Sequence, residues 1–398
     1  MHDSNAAFRR EVREWLEENT PAKWRDAMTG CDQDEFVAAQ QSWFCKLVDA
    51  GYATPHWPAT WPGGGRSLAE QRIIYEEIAR VDAPRLILYF VSLYHAAMTI
   101  LEWAEPDAAR LHLQNILGGE IWCQGFSEPN AGSDLAALKT KAVRKGDTYI
   151  VNGQKIWSTM AQHADKCLLL ARSSSDGPKQ AGLTYLILDM KAPGVTVRPI
   201  HQITGDEEFA EIFLDDVRVP VCSRLGKEGE GWAVAQSTLA SERGLTLVEL
   251  GERMRAMRWR LCRDIDRGAG GDGRVLLQRI GQLSTEIDAF CALADAYVQR
   301  RIDGHERVGD ASIVKLYYAR VLRRFVTFGL DAAGLPAQLR APFTAGGSQE
   351  TGNWMVDFMN SYAWSIAGGS DEIQRNIIAE RLLGMPREPK HWTAEAET

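Results

Sequence analysis

The sequence has no uninterrupted apolar stretch that is long enough to cross a membrane. Its most apolar segment, Leu86–Trp103, is interrupted by Ser92, His95 and Thr99, whereas a spanning helix needs about 20 predominantly apolar residues. This segment therefore predicts a buried helix of a large helical domain. The N-terminal residues 1–20 are rich in acids and have no continuous apolar core, so they predict a helix rather than a signal or transit peptide.

The sequence also lacks the cysteine and histidine patterns of disulfide frameworks and zinc sites. Its seven cysteines are odd in number and widely spaced, and none forms a CxxC pair. This pattern predicts reduced thiols in a cytoplasmic protein without a bound metal. The histidines show neither triad nor ligand spacing, so His95, His112, His163 and His201 are predicted to be packing or surface residues. The cysteines are Cys31, Cys45, Cys123, Cys167, Cys222, Cys262 and Cys291.

No cluster of basic residues marks a nucleic-acid-binding surface. Lysines and arginines are scattered, and the formal net charge is −8, which excludes a polyanion-binding face as the leading function. The chain has no internal repeat. Its 398 residues exceed the usual size of a single core, so two or three packed units are expected.

Hydrophobic periodicity divides the chain into three regions and predicts the α+β class. Helical spacing fills residues 1–119, short strand-like runs fill residues 120–228, and long amphipathic helices fill residues 229–398. We therefore predict an N-terminal helical domain, a central β domain and a C-terminal helical domain. The predicted strands are Thr148–Val151, Ile156–Thr159, Cys167–Ala171, Leu183–Leu188, Val195–Pro199 and Glu211–Phe213.

Asn152 and Gly153 lie between the first two of these runs. Both residue types tolerate the positive φ that a type I′ turn requires. The pair therefore predicts a hairpin turn between two separate strands.

Five motifs, in a fixed order along nearly the whole chain, resemble those of the acyl-CoA dehydrogenase family. Each alone is weak evidence, but their shared order is specific to that family. The resemblance implies an enzyme that binds FAD without a covalent bond and acts on acyl-CoA thioesters. The motifs are Gly125–Asp134 (GFSEPNAGSD), Gly153–Thr159 (GQKIWST), Phe213–Pro220 (FLDDVRVP), Gly229–Trp232 (GEGW) and Gly368–Arg381 (GGSDEIQRNIIAER).

The resemblance also implies roles for individual residues around the flavin. Phe126 and Ser127 would line its pyrimidine side, Thr159 would lie near the flavin N5, and Trp157 would cover one ring face. Such donors matter because the reduced ring carries negative charge. From the residues alone, the favoured interpretation is that Trp157 is a core aromatic and Thr159 a strand hydroxyl, whereas the order of the motifs favours the flavin roles. The remaining cofactor-binding positions that the family implies are Gln124, Ser370 and Glu372.

Ser133 resembles the family serine that contacts the pantetheine chain of CoA. The alternative is a turn-forming serine after Gly132.

The catalytic base departs from the best-known family pattern. Many members carry a glutamate at the position of Gly368, and that carboxylate is absent here. A second branch, which includes isovaleryl- and long-chain-type enzymes, places the base on the helix after the β domain, directly before an arginine. Glu242 and Arg243 match that arrangement, which implies Glu242 as the base, Arg243 beside it at the substrate, and Gly368 as a backbone N–H donor to the enolate. The alternative is that both side chains belong to a solvated helix face.

Three functions remain open from the sequence. The first is an acyl-CoA dehydrogenase that passes electrons to an electron-transfer flavoprotein. The second is an acyl-CoA oxidase or flavin monooxygenase on the same fold, and the third is a non-catalytic subunit that completes the flavin site of a partner. The acyl group is expected to be long, branched or polycyclic, as in lipid or steroid side-chain breakdown. The loop Trp57–Gly65 could border its channel.

Residues 264–274 carry a second departure from the family pattern. Homotetrameric members have an Arg-x-x-Phe-Gly segment there, whose arginine reaches the FAD pyrophosphate of a neighbouring subunit. This chain has a glycine-rich segment without the Phe-Gly pair, where Arg267 or Arg274 could substitute. We therefore expect either a homo-oligomer or a heteromer with a related dehydrogenase-like subunit.

Overall fold

The computed structural model describes residues 2–28, 30–241, 246–266, 273–338, 351 and 353–387. Helices occupy its N-terminal part, a β-sheet follows, and helices return to the C-terminus, so the predicted α+β class is confirmed. The helices of the first part are α1 (His2–Asn19), α2 (Trp24–Met28), α3 (Gln33–Asp49), α4 (Leu68–Arg80), α5 (Ala97–Trp103) and α6 (Pro106–Leu117).

Two of these helices begin with capping boxes that the sequence encodes locally. The Asp32 side chain accepts the N–H of Glu35, whose own side chain reaches back to the Asp32 N–H, at the start of α3. Ser67 and Glu70 form the same arrangement at the start of α4. Each box satisfies two N–H groups that would otherwise lack intrahelical partners.

A buried carboxylate fastens α1 to α4. The Glu77 side chain is 1% exposed, and Arg9, Arg13 and Arg80 all donate to it at 2.5–2.9 Å. Burial would raise the pKa of Glu77, but the hydrogen bonds from Arg13, Arg80 and Arg9 outweigh it and lower the pKa to about 2. Because this pKa lies below the usual 4.5, the stabilisation is fully present above that value and is lost as the pH falls towards 2.

We expect Glu77→Gln to lower the free energy of unfolding at neutral pH by about 2–3 kcal/mol, between the values for exposed and buried ion pairs, because the arginines are partly exposed. The deficit should shrink below pH 4.5, where the wild-type carboxylate begins to lose the same bonds. Urea unfolding across this pH range measures it. Glu17→Gln is the control, since the Glu17 side chain is 54% exposed against Arg80 and should change stability by less than about 1 kcal/mol.

The apolar segment Leu86–Trp103 is buried within the helical region, as its interruptions predict. A wider π-helical turn, Val91–Ala96, leads directly into α5. Leu93, Ala96 and Ile100 are fully buried. Within the described residues, no helix is long and apolar enough to cross a membrane.

The middle of the chain forms one sheet of eight strands. The strands are β1 (Trp122–Gly125), β2 (Lys141–Lys145), β3 (Thr148–Thr159), β4 (Lys166–Arg172), β5 (Leu183–Asp189), β6 (Val195–Pro199), β7 (Phe209–Pro220) and β8 (Arg224–Leu225). Seven of them follow the order β6-β7-β3-β2-β4-β5-β8, and the eighth, β1, is a parallel neighbour of β4. All six predicted strands lie within these observed strands.

The predicted hairpin at Asn152–Gly153 is wrong. β3 runs through both residues without turning, and a shift of register with β7 lies between Val151 and Gly153. Gly153 is required for a different reason, since a Cβ there would meet Thr140 Oγ1 at 2.4 Å. Asn152 bonds across the sheet to Asp216, donating to its carboxylate and accepting its N–H at 2.9 Å.

Long helices form the C-terminal part. They are α7 (Gly231–Ser241), α8 (Thr246–Asp266), α9 (Gly273–Ile302), α10 (Asp310–Ala333), α11 (Trp354–Asn360) and α12 (Asp371–Ile377). α8, α9 and α10 share one hydrophobic core. In contrast, Val234 and Ala235 of α7 belong to the core of the sheet and N-terminal helices. The predicted domain limits at residues 119/120 and 228/229 stay predictions.

All seven cysteines lie in the described part of the chain and are free thiols, as predicted.

Candidate active site

Trp157 lies on a bulge of β3 and is exposed. The pairing of β3 with β7 is interrupted between Lys155 and Ser158, and Trp157 has φ 62° and a side chain 58% exposed. Its ring and that of Phe209 are edge-to-face, at 6.1 Å between centroids. A left-handed backbone costs a bulky residue roughly 1–2 kcal/mol, and such strain concentrates at functional sites. The bulge is therefore a candidate ligand-binding position.

The strand end two residues after Trp157 carries the hydroxyl of Thr159. Thr159 is half-buried and pairs with Phe209 in the sheet. The next residue, Met160, is also left-handed, and its N–H donates to Glu208 O at 2.7 Å. Two left-handed residues thus flank the segment that carries Thr159, and the β6–β7 connection holds it.

The segment Phe126–Ser127 is hydrogen-bonded to the same strand, at the two residues that precede Trp157. Ile156 N–H donates to Ser127 O at 3.0 Å, and Lys155 Nζ donates to Phe126 O at 2.9 Å. Lys155 is 0% exposed. These bonds bring together two stretches that lie about 30 residues apart in sequence and that the family resemblance assigns to the flavin.

A buried ion pair stabilises this connection. Lys155 Nζ lies 2.9 Å from Glu128 Oε1, and Glu128 also accepts the N–H groups of Lys139 and Thr140 at 2.6 and 2.8 Å. Burial lowers the pKa of Lys155 to about 8 despite the opposing carboxylate. Burial would raise the pKa of Glu128, but the Lys155 charge and the hydrogen bonds from Thr140, Lys139 and Lys155 together outweigh it and keep that pKa below its usual value. Both groups are therefore charged at neutral pH.

Gln124 contacts a histidine that the sequence interpretation treated as a packing residue. Gln124 is half-buried on β1, and its Oε1 lies 3.2 Å from His95 Nδ1 on the π-helical turn. That interpretation of His95 missed this contact. A signal was present, because Ser92, His95 and Thr99 recur at spacings of three and four residues, which places polar groups on one helix face.

The Gly368–Ser370 turn has no side chain where many relatives carry a base. Gly368 and Gly369 are left-handed, with φ 64° and 88°. Gln374 Nε2 donates to the carbonyls of Gly368 and Gly369 at 2.8 and 3.2 Å, and Lys315 Nζ donates to Gly369 O at 2.9 Å. These bonds fix the two peptide planes that follow Gly368, and hence the directions of the N–H groups of Gly369 and Ser370.

The two predicted cofactor residues after this turn have local partners. Ser370 caps α12, its Oγ accepting the Ile373 N–H at 3.4 Å. Glu372 is exposed and pairs with Arg375 at 3.1 Å. Ser133 is exposed, in the loop after Glu128. The contacts of the described residues therefore do not link Glu372 or Ser133 to Trp157.

Glu242 and Arg243 lie outside the described residues, as do residues 267–272, which include Arg267. The helix that precedes Glu242 in the sequence is α7. Thr238 Oγ1 of α7 lies 2.8 Å from Thr99 Oγ1 of α5 and 3.0 Å from the Tyr185 hydroxyl of β5. All three side chains are fully buried, so α7 is anchored to both the helical region and the sheet.

The residues present fit a flavin. An exposed aromatic ring on a strained bulge, the Thr159 hydroxyl two residues later, and the braced Phe126–Ser127 segment are the group types that a polar, planar ring system requires. Trp157 is 58% exposed, so its ring is accessible to such a ligand.

Comparisons with known proteins agree with this geometry. Family models match the acyl-CoA dehydrogenase N-terminal domain at residues 2–120, the middle domain at 123–217 and the C-terminal domain at 229–383. The acyl-CoA dehydrogenase IpdE1 of Mycolicibacterium smegmatis is 36% identical over 403 residues, which cover 96% of this chain and 98% of that protein. IpdE1 of Mycobacterium tuberculosis is also 36% identical, over 390 residues, with coverage of 96% and 98%.

Among solved structures, the Tcur3481-Tcur3483 steroid ACAD superposes with a TM-score of 0.84 at 25% identity, covering 97% of this chain and 98% of that one. The ChsE4-ChsE5 complex from Mycobacterium tuberculosis gives a TM-score of 0.80 at 26% identity, with coverage of 97% and 98%. The matches extend over all three regions of the chain. The chain therefore belongs to the acyl-CoA dehydrogenase family, whose members are FAD-dependent oxidoreductases.

Proposed function

We propose that the protein converts an acyl-CoA thioester to the trans-2-enoyl-CoA, with Glu242 as the base that removes the α-proton. The turn at Gly368 carries this proposal. It offers no carboxylate, and its left-handed backbone is bonded to Gln374 and Lys315. Of the two positions at which the family places its base, only the one after α7 has a carboxylate in this chain.

The proposed roles follow from the weak acidity of a thioester α-proton. Glu242 takes the proton, Arg243 lies beside it at the substrate, and the N–H of Gly368 donates to the thioester oxygen as negative charge develops there. FAD, when bound, accepts the hydride from the β carbon. Ser133 would contact the CoA chain.

Phe126, Ser127, Trp157 and Thr159 would hold the flavin, with Gln124, Ser370 and Glu372 as further contacts. The first four are supported by their shared position around the β3 bulge. The last three are supported by the family resemblance, and Gln124 also by its contact with His95 at 3.2 Å.

Anaerobic titration of the purified protein with a panel of acyl-CoA thioesters tests the reaction. A substrate should bleach the visible absorbance of the flavin, and the enoyl-CoA product should appear in equal amount. A folded, flavin-loaded protein that no thioester of any length or branching reduces would contradict the proposal.

We expect Trp157→Asn to reduce the affinity for FAD by about 10-fold or more without destabilising the apoprotein. The change removes the aromatic contact, and a loss of 1.4 kcal/mol is tenfold in affinity. Asparagine also tolerates a left-handed backbone better than tryptophan does, which relieves strain. Equilibrium titration with FAD and thermal unfolding of the apoprotein measure the two effects.

The matched control is Trp259→Asn, which alters a tryptophan on α8 that is 67% exposed. Its FAD affinity should stay within about twofold of wild type, well under the tenfold that 1.4 kcal/mol represents. If Trp157→Asn retained the wild-type affinity, the β3 bulge would not be part of the flavin site. A folded protein that binds no FAD even in excess would remove the cofactor proposal itself.

The electron acceptor is proposed to be an electron-transfer flavoprotein rather than oxygen. The family membership supports a dehydrogenase, while an oxidase or monooxygenase on the same fold is the alternative. The two are separated by mixing the substrate-reduced protein with air-saturated buffer. Slow reoxidation supports the dehydrogenase, and rapid reoxidation with peroxide formation supports the oxidase.

The assembly is proposed to be oligomeric, either of this chain alone or with a related subunit. Homotetrameric members supply an arginine to the flavin of a neighbour from the segment at residues 264–274, and this chain lacks its Phe-Gly pair, which supports a partner subunit that supplies the arginine. Two similar solved structures, the Tcur3481-Tcur3483 steroid ACAD and the ChsE4-ChsE5 complex, carry two subunit names each. One tightly bound FAD per chain in a stable homo-oligomer would exclude an obligate partner, whereas flavin restored only by co-expression with a paralogue would support one.

The location of the protein is proposed to be cytoplasmic, which the free thiols support.

A further inference from the structure

A small cavity lies between α4, the segment that leads into the π-helical turn, and the first turns of α8. Its volume is about 40 Å³, which is room for about three water molecules. One part of its wall is apolar and includes Ile78, Ile87 and Phe90. The cavity is thus a small extension suited to the end of a ligand rather than to a whole ligand.

The other part of the wall is polar. Tyr75 and Tyr94 are joined by a hydrogen bond between their side chains, and burial raises the pKa of both hydroxyls. Arg85 and Glu249 lie beside them, 3.5 Å apart. The Glu249 carboxylate is held by Arg253 at 2.7 Å.

These polar groups are held in place from outside the cavity. Arg253 is 1% exposed and donates to Ala83 O at 3.0 Å. The ring of Tyr94 stacks on His56, with centroids 4.8 Å apart and planes 10° apart. His56 directly precedes the loop Trp57–Gly65, which is a candidate border of the acyl channel on sequence grounds.

The cavity adjoins the proposed active site through the π-helical turn. Tyr94 precedes His95, which contacts Gln124 at 3.2 Å and the ring of Phe90 at 5.3 Å. On the opposite side, Glu249 follows the proposed base Glu242 by seven residues. An acyl group that passes the flavin residues and follows the π-helical turn reaches this cavity, because Tyr94 lines it and the adjacent His95 contacts Gln124.

We propose that the cavity receives an oxygen-bearing part of the acyl group, a ketone or a hydroxyl remote from the thioester, which binds to Tyr94, Tyr75 and Arg85. The inference rests on the proposed dehydrogenation and narrows its substrate class. A plain hydrocarbon end would displace water from these groups and return no hydrogen bond, whereas an oxygen atom replaces the water. Sites built to bond a polar group reject analogues that lack it.

Matched pairs of thioesters test this preference. Hexanoyl-, octanoyl-, decanoyl- and dodecanoyl-CoA are each compared with the analogue that carries a ketone on the penultimate carbon, by anaerobic flavin reduction. We expect the ketone to raise kcat/KM by about 10-fold or more for at least one length, mainly through a lower KM. Equal or better reduction by the plain thioester at every length would overturn the inference and leave the proposed function standing. If no thioester reduced the flavin, the proposed function would fail as well.

Tyr94→Phe and Tyr75→Phe test the residues. Each should bring the ketone-to-plain ratio of kcat/KM towards one while the maximal reduction rate with the plain thioester is retained. Tyr297→Phe is the matched control, because Tyr297 is a buried tyrosine of α9 bonded to Glu306 at 3.1 Å, and it should keep the wild-type ratio. A wild-type ratio in both Tyr94→Phe and Tyr75→Phe would overturn the assignment.

Discussion

Replacing Glu242 by glutamine is expected to slow the reduction of flavin by a good acyl-CoA substrate by about two orders of magnitude or more, the usual contribution of a general base. Glutamine keeps the size and the hydrogen-bonding capacity of the side chain but has no basic oxygen. Thioester binding should survive, because the CoA and acyl contacts are unchanged. Stopped-flow reduction under anaerobic conditions gives the rate, and spectral titration gives the dissociation constant.

The matched control is Glu252→Gln on α8. Glu252 is ion-paired with Arg255 and partly exposed, so its change should leave the reduction rate within about twofold, against the hundredfold or more expected of a lost base. A Glu242→Gln variant that reduced its flavin at nearly the wild-type rate would move the base elsewhere. Asp371 and Glu372 would be next to test, although Asp371 lies 3.4 Å from Lys315 and Glu372 is exposed.

The fold was readable from the sequence where the signals are local. The apolar run Leu183–Leu188 depends on a few neighbouring residues, and the structure places a strand there. The prediction of a hairpin at Asn152–Gly153 was wrong because the local turn preference of these two residues competes with strand pairing across the sheet. Both β2 and β7 pair with β3 through this stretch, and the ladder keeps the chain extended.

The site was readable only in part, since its supports join residues that are distant in sequence. The motif order pointed to Trp157, but the strain and exposure of that residue come from a bulge against β7. Likewise, Gly368 was identified from its position in a motif. The bond that Lys315 Nζ donates to the next carbonyl, Gly369 O, joins residues that are 54 positions apart. No short window of sequence contains such a contact.

The hydrogen bond between Lys155 and the Phe126–Ser127 segment was the contact of the site that was hardest to predict from the sequence. A lysine within a strand suggests a solvent-facing position, because lysine is almost never fully buried without a partner. Here Lys155 is 0% exposed, and its partners Phe126 O and Glu128 come from the preceding motif. A buried ion pair therefore joins the two motifs, and the same lysine bonds the backbone of Phe126 to β3.

We expect Lys155→Met to lower the free energy of unfolding by about 3–5 kcal/mol, the range for removing one partner of a buried ion pair. The Glu128 side chain is only 9% exposed, so its carboxylate would lose its counter-charge without gaining water, and Phe126 O would lose a donor. The same variant should retain little FAD. Urea unfolding and FAD stoichiometry measure the two effects, and Lys166→Met is the control, since that lysine pairs at 2.9 Å with an Asp189 side chain that is 52% exposed and should change stability by less than about 1 kcal/mol.

The double variant Lys155→Met with Glu128→Gln separates stability from cofactor binding. Removing both charges eliminates the uncompensated carboxylate. The single glutamine oxygen still accepts one of the two N–H groups, from Lys139 and Thr140, that now bind separate oxygens of Glu128. Part of the lost stability should therefore return. FAD affinity should not return, because Phe126 O would still lack the bond from Lys155 Nζ that ties this segment to β3. Recovery of stability together with wild-type FAD affinity would show that the pair serves folding alone; recovery of stability without it would establish Lys155 as a residue that positions the flavin-binding backbone.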